Sequence, residues 1–552
     1  MRVIVLITLF LSMLMATPAQ ADSQPVHAIA MHGAPKHEAG FSYLPYANAD
    51  AQQGGRMTQC SIGTFDTLND NTMKGKPAEG LYLLNDSLMR RVWDEPFSLY
   101  GVIAEKVIVP DDRSSITFIL NPNARFHDDT PITTKDVEFS FNTLKEKGKP
   151  NTRNVYSLVS TVTKQDQYTI RFDFGEGYNR ETAMILAMMP IYSSAYWKNR
   201  EFDATSFRIP LGNGPYKIKS IDEGRKITYE KVTDYWARNN PVNVGHYNFD
   251  EMVFNYYRDE QVALEAFKAG ACDIRREANP AKWLVNYDDN SGYVTEELPH
   301  SRPEQTRGFI LNTRRAPLND PDVRKAMILA FDFKWMNRIL FHGKAKRITS
   351  TFSNSPLGSD FILPDMQKRA ALIESSRLLD KAGWPLKDGK RFQLTLILNN
   401  PAEEKIALGY ARDLKRIGII LNIRLLDTAQ FFGALNDYDY DLVSWRWVNS
   451  LSPGTEQNIY WGCDAAKTKG SRNYSGICDQ QIDKVIAELA DATDYQTLTD
   501  FTKTLDRMIM EKNLFIPLYY TGVDYVARWP YIHHPDTQSL YGMVLETWWR
   551  QE

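Results

Sequence analysis

The chain has 552 residues, with 65 Lys and Arg against 68 Asp and Glu, a formal charge of −3, and 43% apolar side chains. That length holds roughly three domains of ordinary size and a large core. Near-balanced charge without any Lys/Arg run argues against a nucleic-acid partner, because phosphate binding needs a basic surplus on one face.

Met1 and Arg2 precede an apolar run over 3–16, broken only by Thr8 and Ser12, and Ala19, Gln20 and Ala21 form a small-x-small cleavage site. A charged start and an apolar run shorter than the roughly 20 residues of a membrane span predict a cleaved secretory leader over 1–21. No cysteine stands immediately after the cleavage site, where Asp22 follows. The reading is therefore an exported chain starting near Asp22, with no lipid anchor and no membrane span. Four cysteines (Cys60, Cys272, Cys463 and Cys478) favour disulfides in such a chain, and three pairings are open. Cys463 and Cys478 flank a short, loop-like segment, and a bridge there contributes about 3 kcal/mol on the loop-entropy estimate. No pair has the C-x-x-C spacing of a zinc site.

Residues 115–120 (SITFIL) alternate polar and apolar side chains, which predicts a half-buried strand. Asp128 to Pro131 turns the chain, and Thr133 or Thr134 caps a helix whose first turn carries Asp136 and Glu138. Val137, Phe141 and Leu144 form its buried stripe. Further on, the pattern predicts a strand at 169–174 and an apolar helix around 181–188. A helix at 263–270 is ended by Gly270 and followed by a strand. Next come a strand at 307–312, a helix at 323–330 and a helix at 375–383 stopped by glycine. Residues 392–398, 407–417 and 419–425 read as a β-α-β unit. A strand at 440–447, a helix at 498–510 and a strand at 515–520 complete the pattern.

Several of these stretches carry a resemblance. FHDDTPITTKDVEFSF at 126–141, LGNGPYKI at 211–218 and the helix opening DPDVRKA at 320–326 resemble the family 5 extracellular solute-binding proteins, the large receptors of peptide-type ABC importers. Asp129 stands where that family has Gly, a tolerable change because Asp visits left-handed φ. HGAPK at 32–36 and GTFDTLN at 63–69 are similar to the Yej-type branch. The resemblance covers essentially the whole mature chain. It implies an α/β, two-lobed periplasmic-binding-protein fold of type II, the large cluster C type with an extra subdomain and a hinge between lobes. Lobe I would span 22–300 with an inserted subdomain at about 75–210, lobe II 301–523, and 524–552 would return to lobe I. Dipeptide-binding members carry cysteines at places similar to Cys60 and Cys272, which pairs those two and leaves Cys463 with Cys478. Residues 81–88 and 94–101 match the early segment that leads to a loop near the ligand.

No catalytic motif stands out: G-x-S-x-G, G-x-x-x-x-G-K, G-x-G-x-x-G and H-E-x-x-H are all missing from the sequence. His533 and His534 are adjacent, and nickel-binding relatives exist, but neighbouring residues in a strand face opposite ways. His32 has no second ligand at a helical or hairpin spacing and reads as structural. For binding, the resemblance points to Trp445, Arg446, Trp447, Asn449 and Ser450, where the matching strand end walls the cleft. In peptide-binding relatives an aspartate there receives the ligand's α-ammonium; here Ser450, or Asn449, holds that place. A desolvated, unpaired ammonium costs several kcal/mol. Either another acid replaces the aspartate, or the ligand is not held by its amine, as for a peptidoglycan-derived peptide whose amine carries a sugar. Arg446 can meet a ligand carboxylate in bidentate fashion, although alternation turns at least one of Trp445, Arg446 and Trp447 away from the cleft. Arg307 resembles an arginine of the Yej-type branch near the lobe crossing. Phe65, Asp66 and Asn69 complete the candidates.

The sequence therefore reads as a monomeric periplasmic receptor, not an enzyme, with no cofactor or metal. Its partners would be a peptide or muropeptide ligand and inner-membrane ABC permease subunits. The rivals are a receptor for an oligosaccharide, opine or metal chelate, and an exported hydrolase of peptides or cell wall.

Overall fold

The computed structural model describes residues 24–287 and 292–552, so the leader expected over 1–21 lies outside it. Two sheets of different plan form the two lobes. In lobe I a seven-stranded sheet runs in the order Val294–Pro299, Val523–Arg528, Ile274–Glu277, Arg56–Ile62, Glu251–Tyr257, Lys226–Lys231, Tyr216–Asp222. Arg56–Ile62 pairs parallel with both of its neighbours, and the other pairings are antiparallel. In lobe II a five-stranded sheet has the order Ile419–Leu425, Phe392–Leu398, Leu442–Trp447, Thr306–Leu311, Phe515–Pro517. Helices cover both of its faces: Pro321–Ala330, Lys368–Lys381 and Pro401–Lys415 on one, Gln480–Ala490 and Tyr495–Glu511 on the other.

A third body extends lobe I. It holds a four-stranded sheet (Ala104–Ile108, Ser115–Leu120, Thr169–Phe174, Val159–Lys164) and a three-stranded one (Ala28–Ala30, Ser98–Gly101, Met89–Arg91). The strand Ala28–Ala30 precedes the span expected for the insertion, and it reaches this body by pairing with Ser98–Gly101. The helix after the turn at 128–131 forms as the sequence dictates. Thr133 caps Thr134–Lys147 in a capping box with Asp136, and Val137, Phe141 and Leu144 are buried. Asp129 takes φ 64°, the left-handed value its place requires.

Both disulfides form, Cys60–Cys272 and Cys463–Cys478. The first ties a central strand of lobe I to the turn before Ile274–Glu277. The second closes a segment that is not all loop, since Cys463–Lys467 is helical. The chain crosses between lobes twice, after Val294–Pro299 and before Val523–Arg528. The crossings are bound to each other: Gly522 N–H donates to Glu304 Oε1 at 2.9 Å, and Arg302 pairs with Asp524 at 2.6 Å. Two adjacent crossings make the hinge of this fold.

Candidate ligand cavity between the lobes

Directly after strand Ala28–Ala30 the chain touches lobe II. His32 Nδ1 donates to the Ala492 carbonyl at 3.0 Å, which leaves Nε2 to accept from Ser452 Oγ at 3.0 Å. Gly33, at φ 70°, donates its N–H to the Thr493 carbonyl at 2.8 Å. Burial lowers the His32 pKa to about 4, and Arg180 and Arg113 push it the same way, so the ring is neutral at pH 7. The HGAPK stretch is thus a contact between lobes, and His32 is structural in a more specific sense than its spacing implied. Glu181, in the first turn of Arg180–Ala187, approaches from the same side. Its Oε2 accepts from Thr455 Oγ1 at 3.4 Å, and a side chain at Gly454 would collide with it.

Between these contacts lies a cavity of about 350 Å³, within the range of small-ligand sites. Lobe I lines it with His32, Lys36, Asp94 and Glu95; lobe II adds Leu451 and Tyr495. The carboxylates come from the turn that precedes strand Ser98–Gly101. Lys36 Nζ pairs with Asp94 Oδ2 at 3.0 Å, and His37 Nε2 meets the same oxygen at 2.8 Å. This group was not among the site residues read from sequence. Its signal was present in HGAPK at 32–36 and in 94–101 (DEPFSLYG), the segment that the resemblance associated with a loop near the ligand, but nothing in either shows that they meet.

The residues expected to bind are divided by strand alternation. Trp447 is buried in the lobe II core against Trp461 (4.5 Å between ring centroids) and Phe515 (5.8 Å). Trp445, on the same face, is half-buried against Tyr474 at 4.8 Å. Arg446 is exposed on the opposite face, where it sits across from Arg307 in the strand register. Arg307 lies over the Tyr519 ring at 5.5 Å, and the Ser444 hydroxyl on that face donates to Glu403. Asn449 is buried, donates Nδ2 to the Thr351 carbonyl at 2.7 Å and accepts from Gln457. Ser450 Oγ accepts from Ser452 N–H, turning the loop. None of these residues lines the cavity, but Leu451, next to Ser450, does. Phe65, Asp66 and Asn69 lie apart in lobe I. Phe65 packs on Tyr256 at 4.9 Å, Asp66 accepts from Lys76 N–H, and Asn69 donates to the Phe202 carbonyl at 2.7 Å. His533 stacks on Trp549, and His534 lies against Trp548 and meets Glu296 at 3.2 Å, so the two rings serve different partners.

Two lobes joined by a double crossing, with a cavity lined from both sides, define a two-lobed solute-binding protein. The comparisons give the family. Residues 98–469 match the model of the bacterial extracellular solute-binding proteins, family 5, and the chain belongs to that family. It is 34% identical to a putative binding protein of Brucella suis, over 99% of this chain and 98% of that one. It is 35% identical to the peptidoglycan-binding protein YepA of Agrobacterium fabrum, over 96% and 95%. Among solved structures, the Helicobacter pylori protein DppA in complex with the peptide STSA superimposes with a TM-score of 0.68 at 17% identity, covering 91% of this chain and 99% of that one. No helix among the described residues is long and apolar enough to cross a membrane.

Proposed function

We propose that this protein is the periplasmic receptor of an ABC importer and captures peptides, in particular peptidoglycan-derived ones, for delivery to the inner-membrane permease. The observation that carries the reading is the interlobe cavity, in a chain that matches a peptidoglycan-binding relative over nearly its whole length. A solute that touches His32–Asp94 on one side and Leu451–Tyr495 on the other binds the closed state better than the open one. Closure is then a population shift driven by differential affinity. Apolar walls supply area, and a few charged groups fix the ends of the solute. Arg446 and Arg307, side by side on the lobe II sheet, suit a ligand carboxylate if the bound chain extends past the cavity. The receptor acts as a monomer, and binding rather than turnover is its task.

Native mass spectrometry of the mature protein, purified from its periplasm without denaturation, tests this. A released peptide or muropeptide is the expected result. A sugar or metal chelate would retain the receptor and remove the peptide, whereas an empty protein that cleaves added peptides would replace the receptor with a hydrolase.

A further inference from the structure

A second cavity, of about 620 Å³, lies within lobe II and shares no lining residue with the one between the lobes. It forms where helix Pro321–Ala330 ends and helix Phe333–Leu340 begins, with 363–368 and Arg347, of the short strand Lys346–Arg347, also lining it. Phe331, Phe333, Trp335 and Met366 give it an apolar wall. Its volume suits a small ligand.

The charges around it are unevenly matched. Asp332 is taken by Lys368 at 3.0 Å, and Asp365 by Lys334 at 2.8 Å. Arg338 and Arg347 line the same cavity, and among the described residues neither has an acid in ion-pair contact. Arg338 is exposed, and water serves it; Arg347 is half-buried. The Arg347 guanidinium carbon lies 5.9 Å from the ring centroids of both Phe331 and Phe333. Its Nε is shut off from solvent without a partner. The two Nη nitrogens are not shut off in that way, and they make no hydrogen bond to the described residues. Burial lowers the Arg347 pKa to about 10, with Asp365 opposing the shift, so the group is charged at pH 7. Elsewhere in lobe II a buried arginine is well used: Arg324 donates to the carbonyls of Leu318, Asn319 and Lys512 at 2.9–3.0 Å. A donor withdrawn from water and left unmade is costly, most of all when charged. A planar fork of N–H groups beside an apolar wall matches an oxyanion in bidentate fashion.

We propose that this cavity is a second ligand site, taking an oxyanion with an apolar body such as an arylalkyl carboxylate or phosphate. Arg347 receives the oxyanion, and Phe331, Phe333 and Trp335 pack on the body. A cation is disfavoured, because both lining carboxylates are already paired and both arginines are not. The site is independent of whatever the interlobe cavity captures. All of its contacts come from lobe II, so its ligand meets the same residues in the open and closed forms. A ligand with equal affinity for two states shifts nothing between them. Occupancy here therefore leaves lobe closure alone, which separates it from any solute held between the lobes.

The test is calorimetric titration of the mature protein and of Arg347→Met with three probes: 4-phenylbutyrate, 4-phenylbutyl phosphate and the neutral 4-phenylbutan-1-ol. Hydrogen bonds to a charged group are worth roughly 10-fold to 100-fold in affinity, so wild type should bind at least one anion roughly 10-fold or more tightly than the alcohol. Arg347→Met should lose that preference and keep the affinity for the alcohol. Tighter binding of 4-phenylbutyrate assigns a carboxylate, and tighter binding of the phosphate assigns a phosphate ester. Small-angle scattering of wild type saturated with the tighter anion should match the unliganded curve. Equal binding of all three probes, or binding of none, would overturn the site. A preference that survives in Arg347→Met would overturn the role of Arg347, and a scattering change on binding would put the anion between the lobes and overturn the lobe II assignment. Should Arg347→Met fail to fold, Arg347→Lys decides: it keeps the charge and loses the fork, so unchanged anion binding contradicts bidentate capture.

Discussion

Asp94, in the turn before strand Ser98–Gly101, and Trp447, at the end of strand Leu442–Trp447, belong to opposite lobes and are held in opposite ways. Trp447 is 1% exposed and wedged between Trp461 and Phe515 in the core of a five-stranded sheet. Asp94 sits on a turn fixed by Glu95, with one oxygen bound and one free. Lobe II thus ends this strand in a side chain held by packing. Lobe I offers charge from a short polar turn. A side chain expected at a binding wall can pack as framework, while a charged group lies on a loop in the other half of the molecule.

The difference between the two sides is largest at Trp447. Trp447→Ala removes a fully buried indole and should cost about 3–5 kcal/mol, read as a lower urea midpoint with an unchanged slope. A cost below about 1 kcal/mol would mean that the side chain is not framework. The Cys463–Cys478 bridge, whose partners are 15 residues apart, braces the segment behind the same wall. The double variant Cys463→Ser with Cys478→Ser should lose about 3 kcal/mol of stability in the same assay and retain its ligand preference. An altered preference with intact stability would instead place that segment in the binding surface.

The smallest expected effect lies on the lobe I side and depends on pH. Burial, with Glu456 of lobe II adding repulsion, raises the Glu181 carboxyl from 4.5 to about 7. Glu456 is itself raised, chiefly by burial. A raised carboxyl favours the state that holds it protonated, so the contact with 454–456 is fully present below pH 4.5 and is lost as pH rises through about 7. Small-angle scattering of the unliganded protein between pH 5 and 8 should show the closed fraction falling as pH rises. Glu181→Gln should make that profile shallower, leaving the part due to Glu456. An unchanged profile would remove Glu181 from the closing contact.

Much of the framework was legible because local pattern and burial agree. Strands Thr169–Phe174, Phe392–Leu398 and Ile419–Leu425 lie where alternation and apolar runs put them. Helices were recognised, but their N-termini lay further upstream: the one expected from 407 begins at Pro401, after the Asn400 cap, and the one expected from 375 begins at Lys368. Their polar first turns carry little of the apolar period that periodicity detects. At Leu442–Trp447 alternation required that some side chain turn away, but which face met core and which met solvent followed only from the helices packed on each side.

The sequence by itself determined the class of fold, many of its helices and strands and, through its motifs, the family. The tertiary structure alone decided which distant side chains meet. His32 meets Ser452 and Ala492 across 420 and 460 residues, and Asp94 meets Lys36 across 58. A side chain's own neighbours along the chain set its local conformation. Which oxygen of Asp94 stays unpaired depends on groups brought together by sheet pairing and lobe packing, and no local pattern encodes that meeting.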